Sequence, residues 1–385
     1  MTSYLFLYII GLGMQKVNIA IIGGGVIGLS IAANLSTHYT DIYLLEKNKR
    51  MAQEISTHNS GVIHSGIHYP PGSLKAKLCV LGNRMIYNLG AENKIAFKRL
   101  GKLTVALDEN ELPILKKLYD NGQRNGVEGM KFLSKEEISK IEPGVKAVEA
   151  LYTPTSGIVE QDDLIQYFYS RALRNNVVIS QLTEVTGIKY NGSGYELTGK
   201  SVLDNFEFEC NTLINCAGLN SDRIAEMAGI EIDRYGYRLK YYKGDYYRVL
   251  GQPPVRMLVY PVPNGPGLGI HLTPDMSGSV KLGPNAYPVS SIDYSEGSNG
   301  DEFIKDVSRF VPDIAGRKIE YDSSGIRPKL AGSDKEFRDF IISHEADKGF
   351  PGLINLIGIE SPGLTASPAI AQYVSKIYED EIFSR

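Results

Sequence analysis

The sequence predicts a mixed α/β fold, with a discontinuous Rossmann-like nucleotide-binding domain and a second domain built on an antiparallel sheet. Three observations carry this reading. An apolar run, "VNIAII" (17–22), passes through glycines into a helical stretch, "VIGLSIAANL". A second short strand, "DIYLLE", ends on an acid, Glu46. Two further strand patterns, "TLINCAGLNS" and "GLINLIGIESPGL", end in small residues much later in the chain, so the parts of one cofactor site are spread over its whole length.

The elements follow in chain order. The first thirteen residues are apolar but shorter than the roughly 20 needed to span a bilayer, and no basic segment precedes them. We expect them to be an overcalled start or a disordered tail, with weak membrane-surface contact as the alternative. Gly23, Gly25 and Gly28 supply G-x-G-x-x-G: a tight turn, close approach of backbone to a pyrophosphate, and close helix–strand packing. Glu46 follows about 20 residues on, where ribose hydroxyls need an acceptor. "TEVTGIKY", "GYELTG" and "NFEFEC" read as three short strands, and "TLINC" as a separate buried strand ending at Ala217 and Gly218. Segments 237–249, 255–262, 268–273 and 279–283 are strand-like, rich in tyrosine and β-branched residues and divided by Pro/Gly turns. "SKEEISKIEP" opens with a capping box, Ser134 to Glu137. The chain closes with a strand, a Ser-Pro-Gly turn and a helix.

Composition excludes several classes. A formal net charge of -3 over 385 residues offers no basic field for nucleic acid. Cys79, Cys210 and Cys216 lie far apart, which argues against a zinc site and a disulfide scaffold and suits a reducing cytoplasm.

The glycine fingerprint, "INCAG" and "GIESPGLTASPAI" together resemble the FAD-dependent D-amino-acid oxidase superfamily. Within it, "HNSGVIHSGIHYPPGSLKAKLCVLG" is similar to the L-2-hydroxyglutarate dehydrogenases and oxidases, continued by "GKLTVAL", "TPTSGIVE", "KGDYYRV", "GIHLTP", "LGPNA" and "GIRPKL". The resemblance implies an FAD domain of 14–90, 150–230 and 325–385, and a substrate domain of 91–149 and 231–324. It implies FAD contacts at Asn59, Ser60 and Gly61, at Val185, at Ala217 and Gly218, and at Gly363, Leu364 and Thr365.

Oxidising a 2-hydroxy acid moves a hydride from C2 to the flavin and a proton to a base. His64 is the preferred base, because an imidazole titrates near neutrality; His271 is its rival. His58 and His68 read as structural. Arg327 is the expected carboxylate anchor for a dicarboxylate substrate, since its planar fork binds a carboxylate bidentately. Lys281 resembles the lysine that sits over the flavin in sarcosine oxidases and assists reaction with oxygen, so the electron acceptor is either quinone or oxygen. Lys75 and Lys77 fit a solvated helix face, and Tyr242 and Lys243 are candidates to line the pocket. A soluble chain of this kind docks at the inner face of a membrane if it delivers electrons to quinone. A glycerol-3-phosphate dehydrogenase, an amino-acid oxidase or a non-catalytic flavoprotein would share the fingerprint.

Overall fold

The computed structural model describes residues 16–202, 204–263, 269–332 and 336–384. The expected N-terminal extension, 1–13, and the start of the strand expected at 268–273 lie outside the described residues.

Among the described residues the chain forms one sheet of eight strands and another of nine. The centre of the first is parallel: Val178–Ser180, Ile42–Leu45, Lys16–Ile22, Asn205–Asn215 and Leu353–Ile357 lie side by side in that order. Counted along the chain these are 3-2-1-4-5, the doubly wound order whose switch point falls between strands 1 and 4. Such strands are buried on both faces and read as apolar runs. Ile19 and Ile21 face one core with Leu29, Ile31, Ile214 and Ile354. Val17, Ala20 and Ile22 face the other with Leu45, Leu197 and Leu353. The helices Val26–Leu35, Leu74–Glu92, Gln161–Arg174 and Gly363–Ile377 pack on the first face, so truncating a residue such as Ile21, 0% exposed, would cost about 2–5 kcal/mol.

The second sheet is mainly antiparallel. Its strands run Tyr287–Val289, Leu239–Val249, Val280–Leu282, Leu272–Pro274, Leu258–Pro261, Lys102–Ala106, Glu149–Thr153 and Lys131–Ser134, with Ile319–Leu330 also paired to Leu239–Val249. Among the described residues of this sheet only Leu258–Pro261 and Lys102–Ala106 pair in parallel. Alternation sorts the faces: Leu103, Val105, Val259 and Leu272 join a core on one side, while Lys102, Thr104, Tyr260, His271 and Thr273 occupy the other by register. The capping box is present, with Ser134 accepting from the Glu137 N–H and Glu137 accepting from the Ser134 N–H.

The structure departs from expectation in three places. "NFEFEC" and "TLINC" form one continuous strand, Asn205–Asn215: its first half pairs with the hairpin strand Tyr195–Lys200 and its second with Leu353–Ile357, so two neighbours share one long edge. The boundaries expected at 150 and 325 fall inside strands of the second sheet. Lys75 is not solvated: it is buried, and its ammonium lies 3.0 Å from Glu360 and over the Phe340 ring.

Candidate active site

Two adjoining clefts, each of about 1200 Å³ including their mouths, open at the switch point. They share Gly25, Ile55, Ser56, Cys216 and Gly218, so they form one elongated groove.

The end nearer the parallel sheet carries the fingerprint. Gly23 has φ +109°, and a Cβ there would stand 2.4 Å from the Cys216 carbonyl oxygen. A Cβ on Gly28 would stand 2.0 Å from the Gly23 oxygen, which is the close helix–strand contact expected of the third glycine. Gly25 precedes the helix Val26–Leu35, whose first N–H donates to the Ser56 hydroxyl at 2.9 Å, and the positive end of that helix lies at the groove. Glu46 is buried; one carboxylate oxygen accepts the Gly24 N–H at 2.7 Å and the other the Asn48 N–H at 2.7 Å. Burial raises its pKa while these two bonds oppose the rise. Each oxygen keeps a lone pair for a hydroxyl donor. Val185, Ala217 and Gly218 line the same end. Asn220 also lines it, with a buried side-chain amide that has no hydrogen-bond partner.

The other end lies between the loop 55–64, the start of the helix Gly363–Ile377 and the polar face of the second sheet. Asn59 and Ser60 line it, but the Asn59 side chain is spent on its own loop: it donates to Ile55 and Ser56 carbonyls, accepts the Gly61 N–H, and is held by Gln161. Gly61 turns the chain and does not line the groove. Gly363 and Leu364 line it at an uncapped helix N-terminus. Thr365 does not: its hydroxyl donates to the Val62 carbonyl and accepts the His64 N–H, tying helix to loop. His58 lines the groove and is structural, bonded to the Glu54 carbonyl and packed against Tyr294 with ring centroids 4.1 Å apart.

His64, His271 and Arg327 converge on this end. The His64 Nε2 is 3.2 Å from the Ser361 hydroxyl. His271 is 4% exposed, stacks on Tyr260 at 3.8 Å, and places Nδ1 2.9 Å from the Gly269 carbonyl. A carbonyl only accepts, so Nδ1 carries the proton and Nε2 is left with a lone pair. Burial pushes the His64 pKa down to about 3, helped by Lys102, His271 and Arg327. Burial likewise brings His271 to about 3, against the Gly269 bond and with Arg327 and Lys102. Both rings are therefore neutral at pH 7, and the near-neutral titration expected of His64 is not found, because burial beside Lys102 and Arg327 disfavours its charged form. Among the described residues no carboxylate pairs with Arg327, which leaves its fork for an anion.

Lys281 is not brought to this site. Its ammonium is 2.7 Å from Asp322, in a network with Arg248 and Asp275. Lys243 is buried and donates to the Ser295 carbonyl, and neither it nor Tyr242 lines the groove. Sequence reading missed Ser361, Tyr246 and Tyr260, all of which line it, because tyrosines in strands carry no mark of the face they occupy.

The residues fit FAD. Gly23 and Gly28 allow the tight strand–turn–helix packing that shapes the cradle, Glu46 offers acceptors, and two helix starts lie at the groove. A model of the FAD dependent oxidoreductase family matches residues 18–377. The chain belongs to this family. As an FAD-dependent oxidoreductase of the D-amino-acid oxidase type, it is similar to several named relatives. An L-2-hydroxyglutarate dehydrogenase of Arabidopsis thaliana, named as mitochondrial, is 33% identical over 94% of this chain and 83% of its own length. A glycerol 3-phosphate dehydrogenase of Caloramator mitchellensis is 34% identical over 94% of this chain and 74% of its own. The dithionite-reduced L-alpha-glycerophosphate oxidase of Mycoplasma pneumoniae, with FAD bound, superposes with a TM-score of 0.84 at 29% identity, covering 95% of both chains. In this FAD oxidoreductase no described helix is long and apolar enough to cross a membrane.

Proposed function

We propose that this flavoenzyme oxidises L-2-hydroxyglutarate to 2-oxoglutarate. The observation that carries the reading is Arg327, without a carboxylate partner among the described residues, beside two neutral imidazoles on the wall of the FAD groove. Arg327 holds one carboxylate by its fork. FAD, held by the Gly23–Gly28 turn and Glu46, would supply the acceptor for the hydride at C2. His64, next to Ser361, takes the hydroxyl proton on its unprotonated ring nitrogen. The fixed tautomer of His271 favours that ring as the alternative acceptor. Tyr260 and the loop 55–64 close the walls and limit water around the developing carbonyl.

The relatives named for glycerol 3-phosphate support a second reading, since that substrate is also a dianion with an oxidisable carbinol. For the acceptor, we propose a dehydrogenase with slow oxidase activity, delivering electrons to quinone in preference to oxygen. The Lys281–Asp322 pair supports this, because the cation expected to assist oxygen is engaged elsewhere. The test is anaerobic mixing of the yellow holoenzyme with a panel of acids of both hands. L-2-hydroxyglutarate should bleach the flavin fastest. Bleaching by glycerol 3-phosphate, L-lactate or an amino acid, with L-2-hydroxyglutarate inert, refutes the substrate. Rapid stoichiometric peroxide in air, with no stimulation by quinone analogues, refutes the acceptor.

A further inference from the structure

Lys102 is a buried ammonium that the proposed chemistry does not use. It is 1% exposed, in the middle of a strand whose five residues are all buried. Alternation places it on the groove side of the second sheet, with Thr104 beside it and Tyr260 on the neighbouring strand. Its Nζ lies 3.1 Å from the His68 Nε2 and 4.9 Å above the Tyr260 ring, which in turn stacks on His271. Tyr260 and His271 line the groove, so Lys102 stands directly beside its wall. Among the described residues no carboxylate pairs with it. An ammonium taken out of water is normally paired with a carboxylate; here its polar partner among the described residues is an imidazole. The hydroxyls of Thr104, on the same sheet face, and of Ser65, between the histidines, are buried with no hydrogen-bond partner, while Thr273 bonds to Tyr260. His64, His271 and Arg327 thus line this end of the groove, and Lys102, His68 and the two orphaned hydroxyls lie buried behind it. Glu360, the carboxylate in the lining, is already paired with Lys75, so the unpaired charge here is positive, and Arg327 answers for only one carboxylate.

We propose that Lys102, backed by His68, is the charge that selects a second carboxylate on the substrate. The inference rests on reading the groove as a 2-hydroxy acid site. Lys102 is a specificity-determining residue, not the base: with Arg327 engaging the carboxylate next to the oxidised carbon, the Lys102 end favours a chain that carries another anion.

The groups facing Lys102 permit a test without a variant. Burial brings the Lys102 pKa down to about 8. His64, His68 and His271 are shifted down by burial and are already neutral there. Tyr69, Tyr260 and Cys79 are shifted up by burial and stay neutral. Between pH 7 and 10 Lys102 is therefore the group here that loses its charge.

The experiment titrates wild-type holoenzyme and Lys102→Met with glutarate and with butyrate, reading the flavin absorbance change and the melting temperature. Wild type should bind glutarate about tenfold or more tightly over butyrate, the scale of one lost charge contact. Lys102→Met should bring the ratio near unity by weakening glutarate alone, with FAD content unchanged. In wild type the same ratio should collapse from pH 7 to pH 10, which decides the matter if the variant does not fold. No preference for glutarate in wild type, a preference that survives at pH 10 and in the variant, or a variant that weakens glycerol 3-phosphate and not glutarate overturns the proposal. If glutarate is preferred through Lys102 yet L-2-hydroxyglutarate does not reduce the flavin, the anchor stands and the proposed substrate falls.

Discussion

His271→Gln should make the protein less sensitive to acid, by an amount the structure sets. The ring is 4% exposed and its pKa falls from 6.5 to about 3 on folding, chiefly through burial. A folded pKa below the unfolded one contributes stability that is fully present above pH 6.5 and is lost progressively as pH falls toward 3. Linkage gives about 1.4 kcal/mol per pH unit, so His271 costs about 2 kcal/mol between pH 6.5 and 5.0. Glutamine keeps a donor for the Gly269 carbonyl and does not titrate. The assay is urea denaturation of holoenzyme at pH 7.5 and 5.0, followed by flavin fluorescence on release. The stability of wild type relative to His271→Gln should fall by about 2 kcal/mol between the two pH values. Because the pair shares every other titrating group, Lys102 included, their contributions largely cancel. An unchanged difference would mean that His271 is already charged in the fold, and the assignment of neutral imidazoles at the groove would be wrong. The same neutrality implies that kcat/KM has no acid limb near pH 6.5; a limb there would point to the same error.

Arg327→Ala should lower kcat/KM by about 10²–10³-fold with FAD retained, as expected when a buried charge-assisted anchor is truncated; steady-state kinetics with L-2-hydroxyglutarate checks it. His64→Ala should lower kcat by roughly 10²–10⁴-fold, the range for a lost general base, with a smaller change in KM. Full turnover in His64→Ala and its loss in His271→Ala would move the base to His271. Gly23→Ala should cost FAD binding and yield, since its Cβ would stand 2.4 Å from a backbone oxygen in a left-handed conformation; a yellow, fully loaded variant would contradict the cradle.

The nucleotide end of this protein was legible in the sequence because its signals are local. Gly23, Gly25, Gly28 and Glu46 lie within one strand–turn–helix–strand unit, and the conformations they require follow from the spacing itself. The apolar runs at 17–22 and 353–357 marked buried strands for the same reason. Their parallel order did not follow from any one of them: it depends on Asn205–Asn215 sitting between strands that come hundreds of positions apart in the chain. The substrate end is a different case. Lys102 and Lys281 both sit in strand patterns with apolar neighbours, and nothing local distinguishes them. Register places Lys102 on the groove face beside His68, and the Asp322 carboxylate draws Lys281 into an ion-pair network away from it. A strand shows which residues share a face, but which face meets the cofactor is decided by the partner strand and the domain packed against it.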